Sequence, residues 1–180
     1  MKTKVLSSLL VLSMFFSCKD GKTGVEIKET VKQNFSVEFD VIAETPDDFT
    51  VYYTETNTNE FVGDKAVWGG VKGGNQQEKV IIDLPEPIIP TNIRLDFGVK
   101  LDRKDVVLKN IKFIFYGNSF EIRGSDFFNY FVIREGVKTE TDVTAGTIKF
   151  IKTPEQTEGT NYYPRQELLD KIAQITKETK

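Results

Sequence analysis

Histidine is absent from the chain, which removes the commonest general base near neutral pH and the commonest zinc ligand. There is a single cysteine, Cys18, so the chain can form neither an internal disulfide nor a cysteine metal cluster. Basic blocks are also missing. Lys and Arg number 24 against 27 Asp and Glu, a formal charge of −3, and a mildly acidic chain without a basic stripe is a poor nucleic-acid binder. No apolar run approaches the ~20 residues that span a bilayer as a helix. No G-x-S-x-G, P-loop or zinc motif occurs. Gly69-Gly70 and Gly73-Gly74 lack the strand–helix context of a phosphate loop and read as turns.

What is present is aromatic and β-branched. Phe (14) and Tyr (6) are plentiful while Met (2) and Trp (1) are scarce, a composition that favours sheet. At 180 residues the chain has room for one domain with a substantial core.

The first residues read as an address. Lys2 and Lys4 form a positive start, and Val5 to Phe16 form a short apolar stretch of signal-peptide length. The segment Phe15-Phe16-Ser17-Cys18 then resembles a lipobox, with an apolar residue at −3 and a small one at −1. Phe16 departs from the usual small residue at −2. That relaxed form, followed by Lys19-Asp20, is similar to lipoproteins of the Bacteroidota. The resemblance implies cleavage after residue 17, lipid on Cys18 (palmitate among its chains) and attachment to the cell envelope, most readily the outer membrane, with the leaflet left open. Several acyl chains hold a protein stably where one is marginal. Removing Lys2 and Lys4 leaves 22 basic against 27 acidic side chains, a charge of −5. Residues 18–34 are then a polar tether, within which Val25–Val31 is a candidate first strand.

From residue 35 to 180 the expected fold class is mainly β: an antiparallel, jelly-roll-like β-sandwich with a C-terminal amphipathic helix. Phe35, Val37, Phe39 and Val41 alternate with polar residues, as do Phe49, Val51 and Tyr53 after the Pro46-Asp47-Asp48 turn. Val67–Val71, Val80–Leu84 and Ile93–Val99 read as further strands, the second ended by Pro85 and Pro87. Val106 and Leu108 open another, Ile111–Phe115 and Phe120–Ile122 flank a Gly117-Asn118-Ser119 turn, and Thr147–Lys152 is a late strand. Asp126–Ile133 fits a short helix or a buried strand equally well. Leu168, Leu169, Ile172 and Ile175 recur at helical spacing, and Pro164 suits a first turn, so a helix is expected over about 164–177.

The strand Asn92-Ile93-Arg94-Leu95-Asp96-Phe97-Gly98, with Val80-Ile81-Ile82-Asp83-Leu84-Pro85 before it and Ile111–Phe115 after it, is similar to galactose-binding-like jelly rolls. These include carbohydrate-binding modules. The likeness covers about Phe35 to Phe120 and implies a fold and a binding role rather than an activity.

Candidate chemistry is sparse. Asp47, Asp48, Asp83, Asp96, Asp102 and Asp105 could supply a glycosidase pair, yet they sit where Asp is favoured for local hydrogen bonding. Asp102–Asp105 and Thr56–Glu60 offer oxygen ligands for a structural calcium ion, without the spacing of a calcium loop. No cofactor or metal is expected. Aromatics are the better lead, since sugar rings present apolar C–H faces that pack on Trp or Tyr. Trp68 beside Gly69-Gly70, then Tyr52 and Tyr116, are the candidate ligand contacts; the opposing reading buries them between the sheets. The leading expectation is a non-catalytic envelope lipoprotein whose sandwich binds a glycan or an envelope protein. One alternative is a structural or assembly component using Phe127–Val132 and the last helix against a protein partner; another is a small carboxylate-dependent hydrolase.

Overall fold

The computed structural model describes residues 33–98, 104–133, 135–154 and 159–177. Cys18, the leader before it, the candidate strand Val25–Val31 and Asp102 lie outside the described residues. Strands β1 (Ser36–Ala43), β2 (Asp47–Thr54), β3 (Ala66–Val71), β4 (Gln77–Asp83) and β5 (Asn92–Phe97) come first. After them run β6 (Val106–Phe115), β7 (Asn118–Arg123) and a one-turn helix α1 (Phe127–Tyr130). The chain continues with β8 (Lys138–Asp142), β9 (Thr147–Ile151), β10 (Thr160–Tyr162) and α2 (Gln166–Lys177).

These strands form two antiparallel sheets, one of six strands ordered β4-β1-β6-β9-β8 with β7 also on β6, and one of four ordered β10-β5-β2-β3. The fold is therefore mainly β, a two-sheet sandwich with a C-terminal helix. Period-two alternation supplies the core from both sheets. Phe35, Val37, Phe39 and Val41 are fully buried from one side, and Phe49, Val51, Ile93 and Leu95 from the other.

The parity of β6 changes partway. Val106 and Leu108 are buried, then Ile111, Phe113 and Phe115, a switch from even to odd that a regular strand cannot make. A bulge resolves it. Opposite β1, Asp40 pairs with Asn110 while Val41 pairs with Leu108, which leaves Lys109 over. At the same residue the outer neighbour of β6 changes from β9 (Val106–Leu108) to β7 (Asn110–Phe115). Sequence periodicity alone splits this single strand in two. The β6–β7 hairpin turns on Tyr116 and Gly117, both at positive φ (49° and 83°), the requirement of a two-residue turn matched to strand twist.

Asp126–Ile133 proves to be mostly short helix. Phe127 and Phe131, four residues apart, stack at 4.6 Å and are both fully buried. Tyr162 is fully buried with them, 5.0 Å from Phe127. In α2, Leu168, Ile172 and Ile175 are buried, and the helix lies against β6, β7 and α1. A 12-residue helix is marginal alone, so burial of these three side chains, ~1.5–3 kcal/mol each, is what fixes it. Pro164 is not in the first helical turn. It pairs with Phe131 in an isolated antiparallel bridge, and the helix starts two residues later. Asp47 and Asp48 belong to β2 rather than to a turn. Among the described residues no helix is long and apolar enough to cross a membrane.

Candidate functional site

The four-stranded sheet has one face in the core and one turned outward. On β2, Phe49, Val51 and Tyr53 point in, so Thr50 and Tyr52 point out. Register then sets their neighbours. Thr50 pairs with Trp68 on β3 and with Asp96 on β5, and Asp96 pairs with Asn161 on β10. Trp68, Thr50, Asp96 and Asn161 therefore form one row across four strands, roughly 14–15 Å long at the usual strand spacing. The next row holds Ala66, Tyr52 and Arg94, with Tyr163 just beyond the end of β10.

Trp68 is 53% exposed, which answers whether it is core or surface. Its two glycines have different reasons. Gly69 faces inward, where a Cβ would lie 2.7 Å from Ile82 Cγ1 and 2.8 Å from Val80 Cγ1, so its bareness lets β3 close on β4. Gly70 shares the outward face with Trp68, and a Cβ there would meet only Asp48 Oδ1 at 3.5 Å. The surface beside the indole is consequently low and open. Thr50, between Trp68 and Asp96 in the row, is 1% exposed and its hydroxyl has no hydrogen-bond partner, an orphaned polar atom of the kind that costs ~1–3 kcal/mol.

Tyr52 is held in a stack. The Arg94 guanidinium sits 3.9 Å from its ring centroid and 5.6 and 5.7 Å from those of Phe61 and Tyr163. Arg94 Nε and Nη2 each donate to Asp96 carboxylate oxygens at 2.8 Å, a bidentate pair. Burial works to lower the Arg94 pKa; the Asp96 hydrogen bonds and charge, with Tyr163, outweigh it and raise it. One face of Tyr52 is thus occupied by arginine.

Tyr116 stands apart from both. It is 43% exposed at the β6–β7 hairpin tip of the six-stranded sheet, its ring edge-on to Phe115 at 4.8 Å. The fold does not bring it to the Trp68 face.

The acids are separately engaged. Asp47 Oδ1 accepts from the Asp48 N–H, Asp83 accepts from Ser36 Oγ and Asp96 is held by Arg94. Asp105 pairs with Lys149 at 2.9 Å and accepts from the Lys152 N–H. Burial pushes the Asp105 carboxyl up, and the Lys149 and Lys152 hydrogen bonds more than reverse that, holding it below its ordinary value. Among the described residues no group of three or more acidic or thiol side chains is placed to hold a metal.

Thr56–Glu60 is spent on tying down its own loop. Thr54 Oγ1 donates to the Thr56 carbonyl at 2.6 Å, and Asn92 Nδ2 donates to the Thr58 carbonyl and to Asn59 Oδ1 at 3.0 and 2.8 Å. The pinned loop forms one wall of a cavity of about 470 Å³ whose other walls are residues 89–92 and α2. Sequence reading missed this cavity; the only hint was an amide-rich loop with an amphipathic helix far along the chain. A second recess of about 420 Å³ lies at the β10 edge of the Trp68 face, lined by Val132, Ile133, Asn161 and Tyr163. No family model, curated protein or solved structure matches the chain.

Proposed function

We propose that this chain is a non-catalytic lipoprotein, held in the cell envelope through an acylated Cys18, whose four-stranded sheet presents its outer face to a glycan. The observation that carries the reading is the exposed Trp68, set in one row with Asp96 and Asn161 and bordered by the bare Gly70. An indole offers a flat apolar surface for the C–H face of a sugar ring, while a neighbouring amide and carboxylate bond the hydroxyls. Arg94 and Asp96 cancel each other's charge, which suits a neutral ligand better than an anionic one. A glycan array and polysaccharide pull-down with wild type and Trp68→Ala tests it. Polysaccharide binding by wild type that the variant loses supports the reading, and a screen in which no glycan binding depends on Trp68 overturns it.

A protein partner is the second reading, favoured by one observation. Val132 and Ile133 are 43% and 61% exposed beside Tyr163 at the edge of the same face, an apolar rim of the kind that marks interfaces. Phe127, Phe131 and the apolar stripe of α2 are taken up by the chain's own core, so a partner would meet Val132 and Ile133 rather than the aromatic segment before them. Envelope capture lost in Ile133→Asp but kept in Trp68→Ala would select this reading over the glycan.

A further inference from the structure

The cavity between α2 and the two loops is separate from the Trp68 face, and its chemistry points to a ligand of its own. We propose that it holds a single ring of a neutral sugar, as a site distinct from the sheet face and argued from its own residues.

Its walls are preorganised. Asn92 is only 4% exposed and braces the Thr56–Glu60 loop through both of its N–H donors. The Thr91 N–H and hydroxyl both bond the Thr54 carbonyl, which fixes the start of β5 to the end of β2, where the loop departs. The α2 wall is anchored by buried Leu168, Ile172 and Ile175. Such a site needs little ordering on binding, which lowers one of the costs of association.

The lining is amphipathic in the way a sugar ring is. Pro90, Leu169 and Ala173 supply an aliphatic surface, and Asn57, Asn59 and Asp170 supply donors and acceptors around it. Asn92, also on the wall, is spent on bracing the loop, so the polar contacts come from its neighbours. Amides both donate and accept, so they match hydroxyls, which do the same. Charge argues against an ion: Asp170 and Lys177 are the charged side chains of the lining, and they oppose each other. The volume, about 470 Å³, lies within the range of small-ligand sites, ~300–1,000 Å³.

The test uses the full chain in a sugar-free zwitterionic detergent, with glucose, galactose, mannose and N-acetylglucosamine titrated singly and binding read by calorimetry and saturation-transfer NMR. Three variants accompany wild type. Asn57→Ala removes an exposed side chain with no bond to the fold, Ala173→Phe fills the cavity, and Trp68→Ala strips the sheet face. At least one sugar should bind wild type and Trp68→Ala equally. It should bind Asn57→Ala roughly 5- to 10-fold more weakly, the usual cost of one amide hydrogen bond, and Ala173→Phe not at all. If Ala173→Phe proves unfolded by circular dichroism, Asn57→Ala decides. Failure of all four sugars to bind wild type overturns the proposal, as does full binding by Asn57→Ala or by a folded Ala173→Phe. Binding lost only in Trp68→Ala overturns it too, while leaving the sheet-face reading intact.

Discussion

Replacing Phe97 by alanine should be among the most costly truncations of an aromatic side chain here, alongside Phe127, which also has five ring neighbours. Phe97 is 2% exposed and its ring lies within 5.0–5.9 Å of five others: Phe39, Phe49, Phe127, Phe150 and Tyr162. Those partners come from both sheets and from α1, so one ring joins three parts of the core. A buried Phe→Ala change costs ~3–5 kcal/mol from lost transfer energy and the cavity left behind. Each aromatic pair adds ~0.5–1.5 kcal/mol beyond buried area, and these losses are shared rather than additive. The expected loss is therefore at the upper end, about 5 kcal/mol, a large part of a typical ~5–15 kcal/mol total. In a chain of this size that lowers the melting temperature by roughly 10–20 °C. Urea unfolding followed by near- and far-UV circular dichroism measures it, with an unchanged slope showing that the unfolded state is the same. Phe97→Leu, which keeps most of the volume but none of the ring pairs, should cost about 2–3 kcal/mol, less than the alanine. A loss below about 2 kcal/mol for Phe97→Ala would refute the idea that this ring couples the two sheets.

Other expectations follow from single contacts. Gly69→Ala should destabilise by ~1–3 kcal/mol, as overpacking does, because its Cβ would press on Ile82 and Val80; Gly70→Ala should be nearly silent in the same melts. Arg94→Lys keeps the charge but loses the fork and the stack on Tyr52, so a loss of ~1–3 kcal/mol is expected by urea titration, and equal stability would show that the pair adds nothing. The Asp105 carboxyl titrates below its ordinary value in the fold, so its pairing stabilises above about pH 4 and that contribution fades as the pH falls through the lower folded value. Asp105→Asn should accordingly be less stable than wild type at pH 7, with the gap closing on acidification; a gap that persists at low pH would mean the charge is not its source.

Much of the architecture is legible because the longer buried strands carry their period openly. Phe35–Val41 and Phe49–Tyr53 put every apolar residue on one face, and α2 repeats Leu168, Ile172 and Ile175 at helical spacing. The weak points have physical causes. β8 (Lys-Thr-Glu-Thr-Asp) is an exposed edge with almost nothing to bury, so no alternation marks it. β10 is three residues long, too short to show a period. The bulge at Lys109 interrupts the pattern of β6 although the ladder continues through it. Of the site, the sequence indicates that Trp68 beside glycines is of interest, while register alone places Asp96 and Asn161 in its row. The stack of Arg94 on Tyr52 was hidden because it depends on strands 42 residues apart in the chain. The α2 cavity was hidden for the same reason, its walls coming from three distant segments.

The central claim is that the Trp68 face receives a glycan, and the chain carries its own reporter, since Trp68 is its one tryptophan and is half-exposed. Trp68 emission should be recorded while a glycan that binds the chain is titrated, with acrylamide quenching measured at each point. The account predicts a blue shift and protection from the quencher that saturate together with binding, as the indole leaves water for the sugar face. Saturable glycan binding to a folded Ala173→Phe chain, whose α2 cavity is filled, with emission and quenching unchanged would contradict it.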